Sequence, residues 1–189
     1  MIETVNATNI TINPTTPGGL KTAIKTAENG STIFMENGVY NGTNNRGLLI
    51  ERNLTIQGKG KNVVIDGEGK GRIFKFRAYN DLTIYIPTVT LSNLKIKNGY
   101  TQYGFGGAID GSVSNLTLKD CSFTNNQAMD GGAVIGANYI LNCSFKNNFA
   151  TRSGGAIVSV DNVINCSFKN NKAANKKTGF GELLMVRIM

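Results

Sequence analysis

Carboxylates and arginines are the side chains that could carry out catalysis in this 189-residue chain, because it contains no histidine. Histidine is the commonest general base near neutral pH, so its absence excludes mechanisms that depend on an imidazole. A glycoside hydrolase would need two carboxylates about 5 to 9.5 Å apart. The sequence predicts no such pair, since the aspartates in or beside turns share no position of the repeat described below: Asp110, Asp120, Asp130 and Asp161.

One acidic and one basic residue do occupy comparable positions. Met129-Asp130 and Arg152-Ser153 each precede a Gly-Gly pair, so stacked repeats would place Asp130 one coil away from Arg152. A polysaccharide lyase would need such a basic residue together with carboxylates that bind Ca²⁺. We therefore keep a polysaccharide lyase or glycoside hydrolase as the alternative function. A pair of solvated turns is the preferred interpretation, and no catalytic residue is predicted.

Aromatic side chains are the other candidates for binding. Tyr100 and Tyr103 precede the first Gly-Gly-Ala-Ile block, and tyrosine rings can stack on sugars. Packing within the turn is the simpler interpretation. We therefore carry Tyr100, Tyr103, Asp130 and Arg152 forward as candidate ligand-binding residues, and we predict no cofactor.

The three cysteines could suggest a disulfide or a metal site. Cys121, Cys143 and Cys166 are 22 and 23 residues apart, with no CxxC spacing and no histidine to complete a thiolate site. Stacked equivalents would be separated by the coil rise of about 4.8 Å, which exceeds the Cβ separation of about 3.8 Å in a disulfide. The sequence predicts buried free thiols and no metal.

These residues belong to an internal repeat. GGAI at Gly106–Ile109 recurs at Gly131–Val134 and Gly154–Ile157, and a CSFxNN block lies between the copies. A period near 23 is typical of a leucine-rich repeat or a β-solenoid. Apolar side chains alternate in Ile140–Phe145, which indicates strands rather than helices. The prediction is an all-β, right-handed parallel β-helix, in which each coil contains three short strands and degenerate upstream copies bring the total to about six coils.

Stacking predicts ladders of identical side chains, because equivalent residues of successive coils lie above one another. Inward-facing phenylalanines would form one ladder and the cysteines a second, both fully buried. Asparagine tolerates left-handed turns and can bond to its copies, so the Asn-Asn pairs that begin at Asn125, Asn147 and Asn170 are predicted as turn ladders. The phenylalanine ladder comprises Phe123, Phe145 and Phe168.

The pattern divides the chain into four segments. Residues 1–15 form an N-terminal extension or first strand. Residues 16–30 carry a helical stripe, with Thr16 as N-cap, Pro17 at the first position and Gly30 as stop, and predict a helix that caps the solenoid. Residues 31–178 form the β-helix. Residues 179–189 start like a fourth GGAI block and then depart from it, which predicts a frameshifted tail and self-association through an uncapped end.

Charge and hydropathy exclude other classes. The net charge is +8, but the basic residues are scattered, and the densest cluster is Lys169, Lys172, Lys176 and Lys177. Recognition of nucleic acid would require a basic stripe in a known module, so we predict no nucleic-acid partner. No apolar run approaches the roughly 18 residues that span a bilayer, which predicts no membrane span.

Two stretches resemble known families. GGLKTAIKTAENGSTIFMENGVYNGT (18–43), followed by LTIQGKGKNVVIDG (54–67), resembles the start of pectate-lyase-like β-helix domains. The GGAI and FxNN blocks are similar to the repeats of chlamydial polymorphic outer-membrane proteins and, more closely, to adhesin-like surface proteins of methanogenic archaea. The resemblance implies a non-catalytic, secreted or cell-surface module that contacts polysaccharide or other cells. The chain shows no signal peptide, so we expect its start to lie inside a longer protein.

Overall fold

The chain winds into a parallel β-solenoid of about seven coils, seen in a computed structural model that describes residues 7–80, 83–174 and 184–186. Its single described helix, α1, spans Gly19–Thr26. The strands are, in chain order, β1 (Asn9–Ile12), β2 (Ser31–Met35), β3 (Gly38–Tyr40), β4 (Leu48–Ile50), β5 (Leu54–Gly58), β6 (Val63–Asp66), β7 (Phe74–Phe76), β8 (Tyr79–Asn80), β9 (Thr83–Ile84), β10 (Thr88–Ser92), β11 (Lys95–Lys97), β12 (Ile109–Asp110), β13 (Asn115–Lys119), β14 (Ser122–Thr124), β15 (Gln127–Asp130), β16 (Val134–Leu141), β17 (Ser144–Lys146), β18 (Phe149–Ser153), β19 (Ile157–Ile164), β20 (Ser167–Lys169), β21 (Lys172–Ala173) and β22 (Leu184–Val186).

Three long faces and one shorter stack, formed by β15, β18 and β21, surround the core. The first face stacks β1, β2, β5, β10 and β13, and it continues into the second halves of β16 and β19. The second face stacks β3, β6, β11, β14, β17 and β20. The third face stacks β4, β7 and β12 and continues into the first halves of β16 and β19 and into β22. Because β16 and β19 run through both, the first and third faces form one continuous sheet.

Alternation along each strand explains the core. In β2, Ile33 and Met35 point inwards and are fully buried. Thr32 and Phe34, which alternate with them along the strand, are only partly buried. Parallel pairing in register then places each inward residue above its equivalent, as Ile33 lies above Ile56. The core is therefore a set of columns that run along the solenoid axis.

The Gly-Gly pairs are required by the backbone. The first glycine of each pair adopts the left-handed region, with φ of +59° at Gly106, Gly131 and Gly154. The second glycine lies against the next coil, because a Cβ on Gly132 would come within 2.1 Å of the carbonyl oxygen of Gly155. A side chain at either position would strain the turn or separate the coils.

The helix begins later than the sequence predicts. Its N-cap is Gly18 in a left-handed conformation (φ 73°), so the prediction of Thr16 as N-cap and Pro17 as first residue is wrong. Thr16 instead closes a turn, in which its carbonyl accepts a hydrogen bond from the N–H of Gly19 at 2.9 Å. The helix buries Leu20, among others, over the core beside β1 and β4.

The structure confirms the predicted parallel β-helix and has about seven coils where about six are predicted; β1 adds a strand to the first face below β2. At the other end, Leu184–Val186 continue the third face as β22, which pairs with β19. Parallel pairing uses backbone groups and tolerates changed side chains, so this strand does not require the sequence of the repeat. The rest of the predicted frameshifted tail lies outside the described residues. No helix in the described part of the chain is long and apolar enough to span a membrane.

Candidate functional site

Phenylalanine rings stack inside the second face. Phe123, Phe145 and Phe168 occupy equivalent positions of β14, β17 and β20, with nearly parallel rings and centroids 4.9 and 5.0 Å apart. Phe123 and Phe145 are fully buried, whereas Phe168 is only partly buried. The prediction of full burial is wrong for Phe168, because β20 is the edge strand of its face among the described residues.

The two asparagines of each pair have different roles, one in the turn and one in a ladder of hydrogen bonds. The first members adopt the left-handed conformation, with φ of 56°, 55° and 57° at Asn125, Asn147 and Asn170. The bonded amide ladder consists of the second members, Asn126, Asn148 and Asn171, which are buried. The Nδ2 group of Asn126 donates to Oδ1 of Asn148 at 3.0 Å, and that of Asn148 donates to Oδ1 of Asn171 at 2.9 Å. Each predicted pair therefore contributes both features, with the left-handed turn at Asn125, Asn147 and Asn170 and the bonded amide at the residue that follows.

The cysteines form a third column, and all three are free. The backbone N–H of Cys121 donates to Sγ of Cys143, and that of Cys143 to Sγ of Cys166, both at 3.4 Å. Hydrogen bonding with Cys121 and burial raise the pKa of the Cys143 thiol to about 12. Cys166 is only partly buried, which corrects the prediction for that residue, because it precedes the edge strand β20. The Cys143 thiol therefore stays protonated, and the column fills space in the core.

The two candidate tyrosines have different surroundings. Tyr100 is partly buried; its N–H donates to the carbonyl of Gly71, and it lines a depression of about 330 Å³. Tyr103 is 81% exposed and accepts a hydrogen bond from the side chain of Gln102. Tyr103 does not line the depression beside Tyr100. The structure thus places the two residues in one loop without joining them in a common described cavity.

Asp130 and Arg152 form an ion pair between adjacent coils. Nε of Arg152 donates to Oδ1 of Asp130 at 2.9 Å, and Nη2 contacts Oδ2. The Asp130 carboxylate is buried, and its hydrogen bonds and charge raise the pKa of Arg152. The guanidinium also lies 5.9 Å from the ring centroid of Phe105. Each charge neutralises the other, so the pair links coils rather than offering a free acid or base.

A groove of about 670 Å³ lies on the outer surface of the third face. Leu49 of β4 and Lys75 of β7, which are neighbours in register, point outwards and form its floor. One wall comes from segments 43–47 and 70–72, which precede these strands. The other wall includes segment 77–78, which follows β7. The groove therefore runs across coils, between the corners at either end of the strands.

Further residues extend the groove along the solenoid axis. Lys21 of α1 lines it at the level of the helix, and Val113, which follows β12, lines it one coil beyond β7. A smaller depression of about 200 Å³ shares Lys21 and Leu49 and continues between α1 and β4. The surface thus spans the helix and three coils, each about 4.8 Å from the next.

The lining of the groove is strongly basic. None of its fourteen lining residues is acidic, and six are basic: Lys21, Arg46, Lys70, Arg72, Lys75 and Arg77. The arginines have acidic partners outside the lining: Arg46 with Glu68, Arg72 with Asp110 at 3.3 Å, and Arg77 with Glu51 at 2.7 Å. These pairs hold the guanidinium groups in place at the walls.

Arg72 is the most firmly held of these side chains. Its Nε donates to the carbonyl of Gly106 at 3.0 Å, and its Nη2 donates to the carbonyl of Phe105 at 2.6 Å. Burial lowers the pKa of Arg72, and the nearby charge of Asp110 opposes that shift. Arg72 therefore anchors the loop before the first Gly-Gly pair to the groove wall.

The lysines are held less tightly. Lys21 and Lys75 are exposed, and neither has a carboxylate within ion-pair distance among the described residues. Lys70 is 65% exposed and lies 3.7 Å from Glu68. Lys21 and Lys75 are thus available to a ligand, whereas Lys70 shares the Glu68 carboxylate with Arg46.

Sequence reasoning missed this groove. Its basic residues come from four separate segments between Lys21 and Arg77, so they form no run that a linear reading would detect. The register of Leu49 with Lys75 would have been the signal, because aligned coils show which outward side chains meet. Within the described residues, no group of three or more histidine, cysteine or carboxylate side chains could hold a metal ion.

The coils, ladders and groove define the class of this protein as a parallel β-solenoid with a basic surface groove. Residues 120–137 and 142–160 match the family model described as Chlamydia polymorphic membrane protein (Chlamydia_PMP) repeat. The matched segments contain the stacked Cys121, Phe123, Cys143 and Phe145. Neither a curated protein nor a solved structure gives a significant match to the chain.

Proposed function

We propose that this chain is a non-catalytic, adhesin-like β-helix module of a cell-surface or secreted protein, which contacts polysaccharide or other cells. The observation that carries the proposal is the match of two coils to the polymorphic membrane protein repeat. The name of that repeat places its family among membrane proteins, and a solenoid suits display because each added coil extends the surface without a new core.

The state of the charged groups supports a role without catalysis. The carboxylates nearest the groove, Glu51, Glu68 and Asp110, each lie in an ion pair with a wall arginine. A backbone N–H of Gly42, together with the adjacent cations, lowers the pKa of Glu68, so that carboxylate stays ionised and engaged. A general acid needs the opposite, namely a raised pKa and access to the substrate.

The groove is the observation that favours the alternative of a polysaccharide lyase or glycoside hydrolase, because a long cleft across coils could hold a polymer. Hydrolysis would require a pair of carboxylates facing the substrate. The described lining contains none. The groove therefore supports binding better than cleavage.

An assay of turnover and binding together tests the proposal. The purified chain is incubated with pectic, hyaluronan-like and pseudomurein substrates, and unsaturated products and new reducing ends are measured. We expect no product, but we expect retention of the chain on at least one immobilised polysaccharide or on intact cells.

Substitutions identify the source of any activity. Product formation that Asp130→Asn or Arg152→Gln abolishes, while the exposed Asp161→Asn leaves it intact, would establish the enzyme instead. Absence of binding to every polysaccharide and cell surface tested would equally contradict the adhesin-like role.

A further inference from the structure

We infer that the basic groove binds an acidic polysaccharide, whose carboxylate or sulfate groups meet the lysines as the polymer crosses successive coils. This inference rests on the proposed function, since it names the class of ligand that such a module would contact. Lys21, Lys70 and Lys75 are the residues assigned to the contact.

The charge of the groove favours an anionic ligand. Six cationic side chains line the groove with no acidic one among them, and low-dielectric walls concentrate the field of such a cleft. The arginines are already in ion pairs, so the remaining positive charge comes from Lys21 and Lys75, with a contribution from Lys70. Lysine ammonium groups are compact, hydrated charges on flexible stems, which suits the hydrated anionic groups of a sugar polymer.

The spacing of the lysines favours a polymer. Lys21 lies at the level of α1, and Lys75 lies on the second strand of the third face, with Leu49 between them on the first. The cations are therefore distributed along the axis rather than gathered at one point. A polymer that carries a charge on successive units can engage all of them, whereas a single small anion can engage one.

The shape and apolar content of the groove suit sugar rings. Leu49 and Val113 offer apolar surface beside the lysines, which can contact the C–H faces of sugar rings. Phe74 and Phe76 contact the groove but their side chains are buried in the core, so no stacking platform of the kind that single-stranded nucleic acids need is present in the lining. Lys75 lies on a concave floor, which a flat anionic bilayer would not reach.

Matched substitutions test the inference in the full chain. Lys21→Gln with Lys75→Gln removes two charges from the groove. Lys146→Gln with Lys169→Gln removes two charges from exposed positions of the second face, which are neighbours in register and lie outside the groove. Binding is measured by calorimetric titration with polygalacturonate, dextran sulfate and neutral dextran of similar length, and circular dichroism verifies that each variant remains folded.

We expect binding to one or both acidic polymers and no binding to neutral dextran. The affinity should fall as added salt screens the charges. Preference between polygalacturonate and dextran sulfate identifies carboxylate or sulfate as the anion. The groove pair of substitutions should weaken binding about tenfold or more, since it removes the two groove lysines that no carboxylate pairs with among the described residues. The control pair should change the affinity by less than about twofold.

Other outcomes overturn the inference. Equal losses in the two double variants would assign binding to net charge alone. Duplex DNA or anionic vesicles that bind as tightly, with the same dependence on Lys21 and Lys75, would replace polysaccharide with another ligand class. Retention on cells without binding to either acidic polymer would reject the inference and leave the proposed function standing, whereas turnover of a polymer would reject the proposed function itself.

Discussion

One column of the second face runs through both halves of the solenoid and shows how differently they are built. In the coils from 115 to 173, the column holds the stacked rings of Phe123, Phe145 and Phe168. In the coils from 31 to 110, the same register holds Tyr40, Ile65 and Ile96. The later coils repeat a phenylalanine at this position, whereas the earlier coils place tyrosine or isoleucine there.

The difference extends to the surface. Regular coils direct their inward side chains at their own copies, as in the Asn126–Asn148–Asn171 ladder. Irregular coils have longer and dissimilar corner segments, such as 41–47 and 67–73, and these form the walls of the groove. Regularity therefore stabilises the later coils, and departure from regularity forms the basic groove.

Breaking the phenylalanine stack should have the largest effect on stability. Phe145 is fully buried between two rings, so Phe145→Ala should lower the free energy of unfolding by about 3–5 kcal/mol. Denaturant titration followed by circular dichroism measures this change. The exposed Tyr103→Ala serves as the aromatic control and should stay within about 0.5 kcal/mol of the native chain. Equal effects at both positions would refute the stack as a source of stability.

Cutting the amide ladder should have the next largest effect. The Asn148 side chain donates to Asn171 and to the carbonyl of Phe123 and accepts from Asn126, all while buried. Asn148→Ala should cost about 1–3 kcal/mol, because buried partners lose their hydrogen bonds. Chemical denaturation provides the measurement.

Its neighbour provides the control for the amide ladder. Asn147 adopts a left-handed conformation (φ 55°) that glycine also tolerates, so Asn147→Gly should change stability by less than about 1 kcal/mol. If Asn147→Gly lowered the free energy of unfolding more than Asn148→Ala does, Asn147 would be the residue whose amide stabilises the turn, and the assignment to Asn148 would be wrong.

Alkaline pH should lower the stability of the chain through Tyr40, which lies in the irregular half of the solenoid. Burial raises the pKa of Tyr40 from 10.0 to about 12, and its hydroxyl donates towards the carbonyls of Ile12 and Glu36. The folded chain thus keeps this proton to a higher pH than the unfolded chain does. The stabilisation from Tyr40 is intact below pH 10 and is lost as the pH rises towards about 12.

Comparison with Tyr40→Phe isolates that contribution. The variant should show a smaller decline in the free energy of unfolding between pH 10 and 12 than the native chain. Identical declines in the two proteins would mean that Tyr40 does not titrate differently in the folded and unfolded states.

The smallest effect is expected for the thiols, because their test measures reactivity and not the free energy of unfolding. Without reductant, a thiol reagent should count three thiols per denatured chain. The folded chain should react slowly near pH 8, because Cys143 has a pKa of about 12 and is buried. A count of one thiol after denaturation would reveal a disulfide and contradict the cysteine column.

The repeat made most of the fold predictable, because alternation and fixed spacing translate directly into strands and stacked registers. The two glycines of each pair and the rings of Phe123 and Phe145 follow from that spacing alone. Details that depend on backbone conformation did not follow. The N-cap is Gly18, which has a left-handed φ, and not Thr16. Asn148 forms the buried amide because Asn147 before it adopts the left-handed turn.

The groove could not be predicted from a linear pattern, because it has no motif. It brings together residues such as Lys21, Arg46 and Lys75, which meet only when the registers of dissimilar coils are known. The predicted proximity of Asp130 and Arg152 did follow from register, since both precede Gly-Gly pairs, but their mutual ion pair makes them a link between coils.

The central claim is that regular coils provide stability and irregular coils provide binding, and one paired measurement tests it most directly. Unfolding and affinity for the preferred acidic polysaccharide are measured for Phe145→Ala and for Lys21→Gln with Lys75→Gln, well below both melting transitions. The account predicts that Phe145→Ala melts earlier and binds with unchanged affinity, while the lysine variant melts like the native chain and binds about tenfold or more weakly. Weakened binding by Phe145→Ala, or unaltered binding by the lysine variant, would contradict it.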